Sequence, residues 1–344
     1  MNHATNHATS LPDPAPILDL IEAFRRSKAM FAAVSMGIFD ALHESPANAA
    51  DLATRLSANA DALERLLEAC VGLKLLKRSG HGFANEPAAE AYLCGFSPQS
   101  MNGYVRYSND VLFKAWANLE DAVREGSPRW QQTFGLSGPL FERFFDTEDS
   151  MRTFIMGMHG FGLLSSPTVA RAFDLSRFRH LVDLGGATGH LTIAACEAYP
   201  ELRGTVFDLE RVVIVAREQV ERSSARERID CVAGDFFQGA LPEADLYALG
   251  RILHDWGPAA IDLLLRKIWG RLPAGGALLI AEKLLDDDKC GPVAAQMQSL
   301  NMLVVTEGKE RTSSEYRALL ENAGFSKIED KRTGKPVDAI LATK

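Results

Sequence analysis

One glycine-rich segment limits the possible folds of this chain more than any other feature. It reads Asp183-Leu184-Gly185-Gly186-Ala187-Thr188-Gly189-His190, and it stands between a short apolar stretch (Leu181, Val182) and a helix pattern that contains Leu191 and Ile193. Glycines allow a sharp turn and a close approach to a ligand, and the first turn of a helix offers free amide donors. The segment therefore predicts a strand–turn–helix unit that binds a nucleotide-like ligand.

The glycine spacing alone does not identify that ligand. Gly185-Gly186-x-x-Gly189 resembles the dinucleotide fingerprint, but with Asp183 before it the spacing looks more like the first motif of S-adenosylmethionine methyltransferases. The next strand pattern ends in Asp208, where a carboxylate can accept hydrogen bonds from ribose hydroxyls. Both alternatives predict a ribose-bearing ligand.

Strand and helix patterns alternate from His180 to the end of the chain. Alternation of this kind predicts an α/β, Rossmann-like domain over residues 179–344 with a parallel, doubly wound sheet. The last two strand patterns, 326–332 and 338–343, predict an antiparallel hairpin at a sheet edge. The carboxyl ends of parallel strands meet at one edge of the sheet, so we expect Gly185, Asp208, Asp235 and His254 to lie together there.

The N-terminal part has a different pattern. Residues 1–14 resemble a disordered tail, and residues 15–100 predict a helical winged-helix unit with helices near 51–56 and 61–73 and a hairpin near 75–83. Such a unit serves either DNA binding or dimerisation. The second of these helices carries Asp61, Glu64 and Glu68, whose negative charges would be repelled by DNA phosphates. This favours a dimerisation domain. An N-terminal helix with Ile17, Leu20, Ile21 and Phe24 on one face also favours it.

Residues 101–178 form a predicted helical region that is rich in phenylalanine and methionine. Such side chains serve equally well as core or as the apolar wall of a pocket for a flat substrate. The side chains in question are Phe134, Phe141, Phe144, Phe145, Phe154, Met156, Met158 and Phe161.

Charge and cysteine usage exclude several classes of protein. A net charge of −8 argues against broad affinity for nucleic acid or an anionic membrane surface. The five cysteines are scattered and form no C-x-x-C motif, which is typical of a reducing compartment, and we expect a cytoplasmic protein without a signal peptide. No run of His or Asp has metal-ligand spacing, so no metal is predicted.

Two more segments carry polar groups to the predicted sheet edge. In Gly234-Asp235-Phe236-Phe237, the carboxylate can accept from an exocyclic amine and Phe236 can stack on a purine, although such a phenylalanine is more often core. His254 stands where a strand passes into a loop beside the predicted ligand. A general base is favoured there over a merely satisfied polar group.

Several segments together resemble the S-adenosylmethionine-dependent O-methyltransferases of the plant caffeate and flavonoid type, most closely the acetylserotonin O-methyltransferases. The resemblance covers nearly the whole chain and is carried by residues 73–77, 121–126, 183–190, 206–208, 234–237, 253–256, 299–312 and 338–342. It implies a class I methyltransferase domain, an N-terminal dimerisation domain, S-adenosyl-L-methionine as cofactor, a small aromatic hydroxyl substrate and a homodimer.

The resemblance also implies roles for single residues. Gly185 matches the position beside the methionine part of the cofactor, Asp208 the ribose site, Asp235 and Phe236 the adenine site, and Arg251 the cofactor carboxylate. Asp183, Gly186, Gly189, Leu209 and Gly234 complete the expected cofactor site. His254 is the expected base and Glu282 and Glu310 its flanking carboxylates, while Asp255, Asn301, Met302 and Val305 belong to the expected substrate site.

Two residues have alternative roles, and one residue differs from the family pattern. Glu310 could instead form a surface ion pair with Arg311, and Glu282 could pair with Lys283. The acetylserotonin enzymes typically have glutamine where this chain has Val305, and the loss of an amide can change substrate choice strongly. The rival functions are a relative with non-methylating chemistry, such as a hydroxylase or decarboxylase, and a DNA-binding regulator that senses the cofactor.

Overall fold

The computed structural model describes residues 11–138 and 147–344. These residues form two compact units, which divide after Pro98. The predicted segments 101–178 and 179–344 belong to the same unit. Residues 1–10 of the predicted tail, and Phe141, Phe144 and Phe145 of the predicted apolar set, lie outside the described residues.

The first unit has the predicted helix–turn–helix and hairpin. The hairpin strands β1 (Leu76–Ser79) and β2 (Gly82–Asn85) pair antiparallel, with Leu76 opposite Asn85. The helices are Ala15–Ser35, Ile38–Ala41, Ala49–Arg55, Ala60–Gly72 and Pro87–Leu93. Asn48 and Asn59 begin the third and fourth helices, because each side chain accepts a backbone N–H from the first helical turn.

The N-terminal helix Ala15–Ser35 exposes its apolar side chains. Ile17, Leu18, Leu20, Ile21 and Phe24 are each more than half exposed. A helix face of this kind is normally covered by another surface.

The second unit begins with a series of helices, some of which line its cavity. They are Asn102–Tyr107, a π-helical turn Ser108–Leu112, Phe113–Trp116, Leu119–Glu125, Trp130–Phe134, Glu148–Leu163 and Ser166–Ala170. Asn102–Tyr107 and Glu148–Leu163 approach each other closely at two glycines. A Cβ on Gly103 would lie 2.8 Å from the backbone nitrogen of Gly157.

A seven-stranded sheet forms the centre of the second unit. Its strands in chain order are β3 (His180–Leu184), β4 (Arg203–Asp208), β5 (Ile229–Ala233), β6 (Leu246–Gly250), β7 (Ala277–Glu282), β10 (Ser326–Lys331) and β11 (Asp338–Thr343), with a separate short pair β8 (Leu284–Leu285) and β9 (Arg311–Thr312). The spatial order is β10-β11-β7-β6-β3-β4-β5. Strands β3 to β7 are parallel, and the β10–β11 hairpin joins β7 antiparallel, as predicted.

Helices pack on both faces of this sheet, and alternate strand residues belong to two separate cores. Leu181 and Leu279 face one core, and Val182 and Leu278 face the other. Burial of both faces explains why these strands have continuous apolar sequences. The remaining helices are His190–Ala198, Glu210–Glu221, Pro258–Arg271, Val293–Val305 and Ser313–Asn322.

Within the described ranges, no helix combines the length and apolarity that a membrane crossing requires.

Candidate active site

The carboxyl ends of β3, β4, β5 and β6 open into a cavity of about 540 Å³ within the second unit. This volume is typical of a small-molecule site. Most of the predicted site residues line it: Asp183, Gly185, Gly186, Asp208, Leu209, Gly234, Asp235, Phe236, Arg251, His254, Asp255, Asn301, Met302 and Val305. Gly189, Glu282 and Glu310 do not line the cavity, but both glutamates contact His254, which does.

The glycine-rich turn follows β3 directly along the cavity wall. Gly185 has φ +71°, and a Cβ there would lie 2.5 Å from Cδ1 of Ile252. Only glycine combines this backbone angle with this contact. Gly189 has the same left-handed conformation and immediately precedes the helix His190–Ala198.

Two carboxyl groups hold the turn in place. Asp208 accepts the backbone N–H of Ala187 at Oδ2 (2.8 Å) and that of Leu209 at Oδ1 (2.7 Å). Asp183 accepts the hydroxyl of Thr192 and is almost fully buried. Burial raises the pKa of Asp183 to about 7 and that of Asp208 to about 6, although these donors oppose the shift.

The aromatic end of the cavity follows β5. Asp235 accepts the N–H of Phe237 (2.8 Å), and the rings of Phe236 and Phe237 lie 4.8 Å apart. Lys267 donates to the carbonyl of Phe236. Phe236 packs against the core with one side and lines the cavity with the other, so its stacking on a purine stays a prediction.

His254 lies at the cavity wall in a buried cluster of acidic groups. Its Nδ1 is 2.7 Å from Oε1 of Glu310 and 3.5 Å from Oε2 of Glu282. Its Nε2 is 3.7 Å from Oδ1 of Asp255. Burial raises the pKa of Glu282 to about 7 and that of Glu310 to about 8. The contact with Glu310 occupies Nδ1, so Nε2 is the nitrogen that can serve the cavity.

The β8–β9 pair explains how distant carboxyl groups reach the same imidazole. Glu282 ends β7 just before β8, Glu310 directly precedes β9, and Leu284 pairs with Arg311. Glu282 accepts the N–H groups of Ile252 and Leu253 (3.0 and 2.9 Å), which fixes the backbone that carries His254.

The alternative ion pairs are wrong. Glu310 is 1% exposed and bonds to His254, and Arg311 donates to backbone carbonyls, including that of Leu253. Glu282 is also 1% exposed and bonds to backbone N–H groups, so it forms no surface pair with Lys283.

The cluster also bears on metal binding. One ligand atom from each of His254, Glu282 and Glu310 lies within 4.8 Å of the others, a grouping that spacing along the sequence did not reveal. The direct 2.7 Å contact between His254 and Glu310 leaves no space for an ion between those two atoms. The absence of a metal stays a prediction.

The wall formed by helix Val293–Val305 is largely apolar, and two indole groups donate hydrogen bonds to it. Asn301 accepts the indole N–H of Trp116 at its side-chain oxygen, and the carbonyl of Val305 accepts that of Trp130 (both 2.8 Å). Of the predicted apolar set, Phe154, Met158 and Phe161 line the cavity, whereas Phe134 and Met156 pack in the core. Tyr107, which was not among the predicted site residues, is a buried cavity residue, and burial raises the pKa of its phenol well above its usual value.

Comparisons with known proteins agree over nearly the whole length. The family model of the O-methyltransferase domain matches residues 116–326, and the family model of the O-methyltransferase dimerisation domain matches residues 18–95. Acetylserotonin O-methyltransferase of Gallus gallus is 41% identical over 338 residues, which cover 96% of this chain and 97% of that protein. The Bos taurus enzyme is 42% identical over 328 residues, covering 93% and 95%. The crystal structure of human N-acetylserotonin methyltransferase in complex with SAM superposes with a TM-score of 0.92 at 39% identity, covering 98% of this chain and 99% of that one.

Proposed function

Because this chain belongs to the S-adenosylmethionine-dependent O-methyltransferases that carry a dimerisation domain, we propose that it methylates a hydroxyl group of a small planar aromatic compound, of the hydroxyindole or phenol class. One observation supports this most directly. His254, with Nδ1 bonded to Glu310, lines the same cavity as the glycine turn and Asp208.

The residues of the cavity fit S-adenosylmethionine. The turn at Gly185 has no side chain to exclude a ligand, Asp208 lines the cavity as a hydrogen-bond acceptor for ribose, and Asp235 and Phe236 provide an acceptor and a ring for adenine. We assign cofactor binding to these residues together with Gly186, Leu209, Gly234 and Arg251. Asp183, which accepts the hydroxyl of Thr192, and Gly189, with its left-handed backbone, hold the conformation of the turn.

His254 is the proposed general base. S-adenosylmethionine, when bound, supplies an electrophilic methyl group on a positively charged sulfur. Nε2 of His254 takes the proton of the acceptor hydroxyl as its oxygen attacks that methyl group, and Glu310 stabilises the positive charge that develops on the imidazole. Glu282 holds the backbone of residues 252–254 and thereby the position of the ring.

Positioning of the acceptor and the cofactor provides the rest of the rate enhancement. The apolar wall, with Met302 and Val305 both buried, keeps water from the reacting atoms and limits the acceptor to a flat shape. Asn301 and Asp255 are the polar groups that would orient it. Because Val305 offers no hydrogen bond at its side chain, we propose that the acceptor carries an apolar edge there.

The matched dimerisation domain and the exposed face of helix Ala15–Ser35 support a homodimer. In the same unit, Asp61, Glu64 and Glu68 are exposed on the helix that would have to face DNA, which opposes the DNA-binding alternative.

The test is methyl transfer from S-adenosylmethionine with a labelled methyl group to a panel of hydroxyindoles, phenols and quinols. We expect the label in an ether of at least one member, with S-adenosylhomocysteine formed in equal amount. Consumption of an acceptor without label in the product would instead support non-methylating chemistry.

A further inference from the structure

The first unit contains a group of side chains that the proposed function does not use and that are all of metal-binding types. One ligand atom from each of His43, Glu90 and Cys94 lies within 4.8 Å of the others. Glu90 and Cys94 are four positions apart at the end of helix Pro87–Leu93, a spacing that brings both side chains to one side of a helix, and His43 follows helix Ile38–Ala41. We call these three residues the first-unit cluster.

The composition and the exposure of the first-unit cluster suit a zinc ion. Imidazole, carboxylate and thiolate are the ligands that Zn²⁺ takes in proteins, and the last two together balance its charge. The side chains of His43 and Glu90 are 44% and 37% exposed, whereas Cys94 is fully buried. An ion can therefore enter from solvent and reach the thiol, and water can occupy a fourth position on the open side.

His43 and Glu90 contact each other directly, at Nδ1 and Oε1. In the active site, a contact of this kind between two buried side chains leaves no space for an ion. Here both side chains reach the surface, so a rotation of either one separates the two ligand atoms. The two residues are 47 positions apart, which is why spacing along the sequence did not reveal the group.

Asn85, the last residue of β2, supports the first-unit cluster from the buried side. Its Nδ2 lies 2.7 Å from Oε2 of Glu90, 3.6 Å from Sγ of Cys94 and 2.8 Å from the carbonyl oxygen of Phe39. Donors of this kind orient the ligands of metal sites. Oδ1 of Asn85 is buried and has no hydrogen-bond partner within residues 11–138 and 147–344, which costs free energy unless a ligand or water satisfies it. This unused acceptor independently indicates that the group is incomplete as it stands.

We infer that the first-unit cluster is a zinc site, with Nδ1 of His43, the carboxylate of Glu90 and the thiolate of Cys94 as ligands. Asn85 is a positioning residue that orients the last two. Binding of the ion displaces the thiol proton of Cys94 to solvent. The bound ion joins the segment after helix Ile38–Ala41 to helix Pro87–Leu93 and thereby stabilises the first unit.

The test uses the full-length protein, freed of metal with a chelator and then titrated with Co²⁺. Cobalt occupies zinc sites, and a Co²⁺–thiolate bond has a charge-transfer absorption in the near ultraviolet that reports directly on cysteine ligation. Cys94→Ser removes the thiolate, and His43→Ala removes the imidazole at the exposed side. Cys290→Ser is the matched control, because Cys290 is an exposed free cysteine of the second unit.

We expect the wild type and Cys290→Ser to develop the thiolate absorption with one Co²⁺ per chain and to lose it when Zn²⁺ is added. Cys94→Ser should show none, and His43→Ala should bind Co²⁺ at least about tenfold more weakly. Because the ion binds the folded unit, Zn²⁺ should raise the unfolding temperature of the wild type and of Cys290→Ser, and it should leave that of Cys94→Ser unchanged.

A wild type without the thiolate absorption, or a Cys94→Ser protein that retains it, would overturn the site. If Cys94→Ser does not fold, His43→Ala decides, because its substitution lies at the surface: unchanged Co²⁺ affinity in this variant would overturn the site as well. None of these outcomes affects the proposed methyl transfer, which uses other residues.

Discussion

At the scale of single residues, the asymmetry of His254 determines its chemistry. Nδ1 lies 2.7 Å from Oε1 of Glu310, and Nε2 lies 3.7 Å from Oδ1 of Asp255. A general base needs one nitrogen held and the other accessible, and the buried acidic cluster satisfies both conditions.

Replacing His254 should therefore separate catalysis from binding. We expect His254→Ala to lower kcat by roughly 10²–10⁴ while S-adenosylhomocysteine affinity stays nearly constant, because the imidazole acts on the acceptor. Glu310→Gln should cause a smaller loss through the orientation of the ring. Activity of His254→Ala should recover partly at high pH or with acceptors of lower hydroxyl pKa. Near-normal turnover of His254→Ala on a validated acceptor would refute the base.

Asp208 offers a second test at this scale. Asp208→Ala should weaken S-adenosylhomocysteine binding by about 1–3 kcal/mol, the cost of a lost charged acceptor. Burial raises the pKa of this carboxyl to about 6, so it becomes protonated as the pH falls through that value. Wild-type affinity should decrease below pH 6, by at most about tenfold per pH unit.

Asp208→Asn separates this effect from the titration of neighbouring groups such as Asp183. The amide does not titrate, so the pH dependence of its affinity should be flatter than that of the wild type. Calorimetric titrations between pH 5 and 8 that give parallel curves for the two proteins would contradict the assignment.

Some residues of the site were predictable from the strand pattern, and others were not. Gly185, Asp208, Asp235 and His254 each end or follow a strand, so the pattern alone placed them at one sheet edge. Glu282 and Glu310 came only from the resemblance, because their approach to His254 depends on the two-residue strands β8 and β9, which are too short to leave a pattern.

At the scale of elements, long apolar strands were predictable and short or atypical helices were not. Val293–Val305, which carries Asn301, Met302 and Val305, is apolar over most of its surface and has no side-chain cap to mark its start. Ser313–Asn322 does carry a readable signal: Thr312 and Glu315 form a capping box.

The contact between helices Asn102–Tyr107 and Glu148–Leu163 supports the cavity wall, and it can be tested at its closest point. Gly103→Ala would place a methyl group 2.8 Å from the backbone nitrogen of Gly157, and the backbone cannot give way without moving a helix. We expect a loss of about 1–3 kcal/mol in the free energy of unfolding. Weaker S-adenosylhomocysteine binding should accompany it, because Tyr104, Phe154 and Met158 line the cavity from these helices.

Gly270→Ala is the matched control, since Gly270 lies in helix Pro258–Arg271 and a Cβ there meets nothing within 4 Å. Alanine is the better helix former, so this variant should be neutral or up to about 1 kcal/mol more stable. Urea unfolding curves that coincide for the two variants would show that the helix contact is not close-packed in solution.

At the scale of the whole molecule, the exposed face of helix Ala15–Ser35 requires an explanation. Each unit has its own core, and Leu20 and Phe24 are nevertheless 69% and 56% exposed. The dimerisation-domain match supports a second copy of the chain as the cover. A two-fold contact uses the same face of both copies, so each substitution changes the dimer interface at two places.

Because each substitution occurs in both copies, two substitutions on this face should be enough to change the oligomeric state. Full burial of a Leu or Phe side chain contributes about 1.5–3 kcal/mol, and at half burial four such side chains contribute roughly 4 kcal/mol to a dimer. Leu20→Glu with Phe24→Glu should therefore raise the dimer dissociation constant by about 10³-fold or more, which light scattering after gel filtration at micromolar concentration detects as a shift from dimer to monomer. Leu263→Glu is the control, because Leu263 is similarly exposed (55%) but lies on helix Pro258–Arg271 of the second unit, and it should leave the dimer unchanged. A wild-type protein that is a stable, active monomer at this concentration would mean that the apolar face serves another purpose.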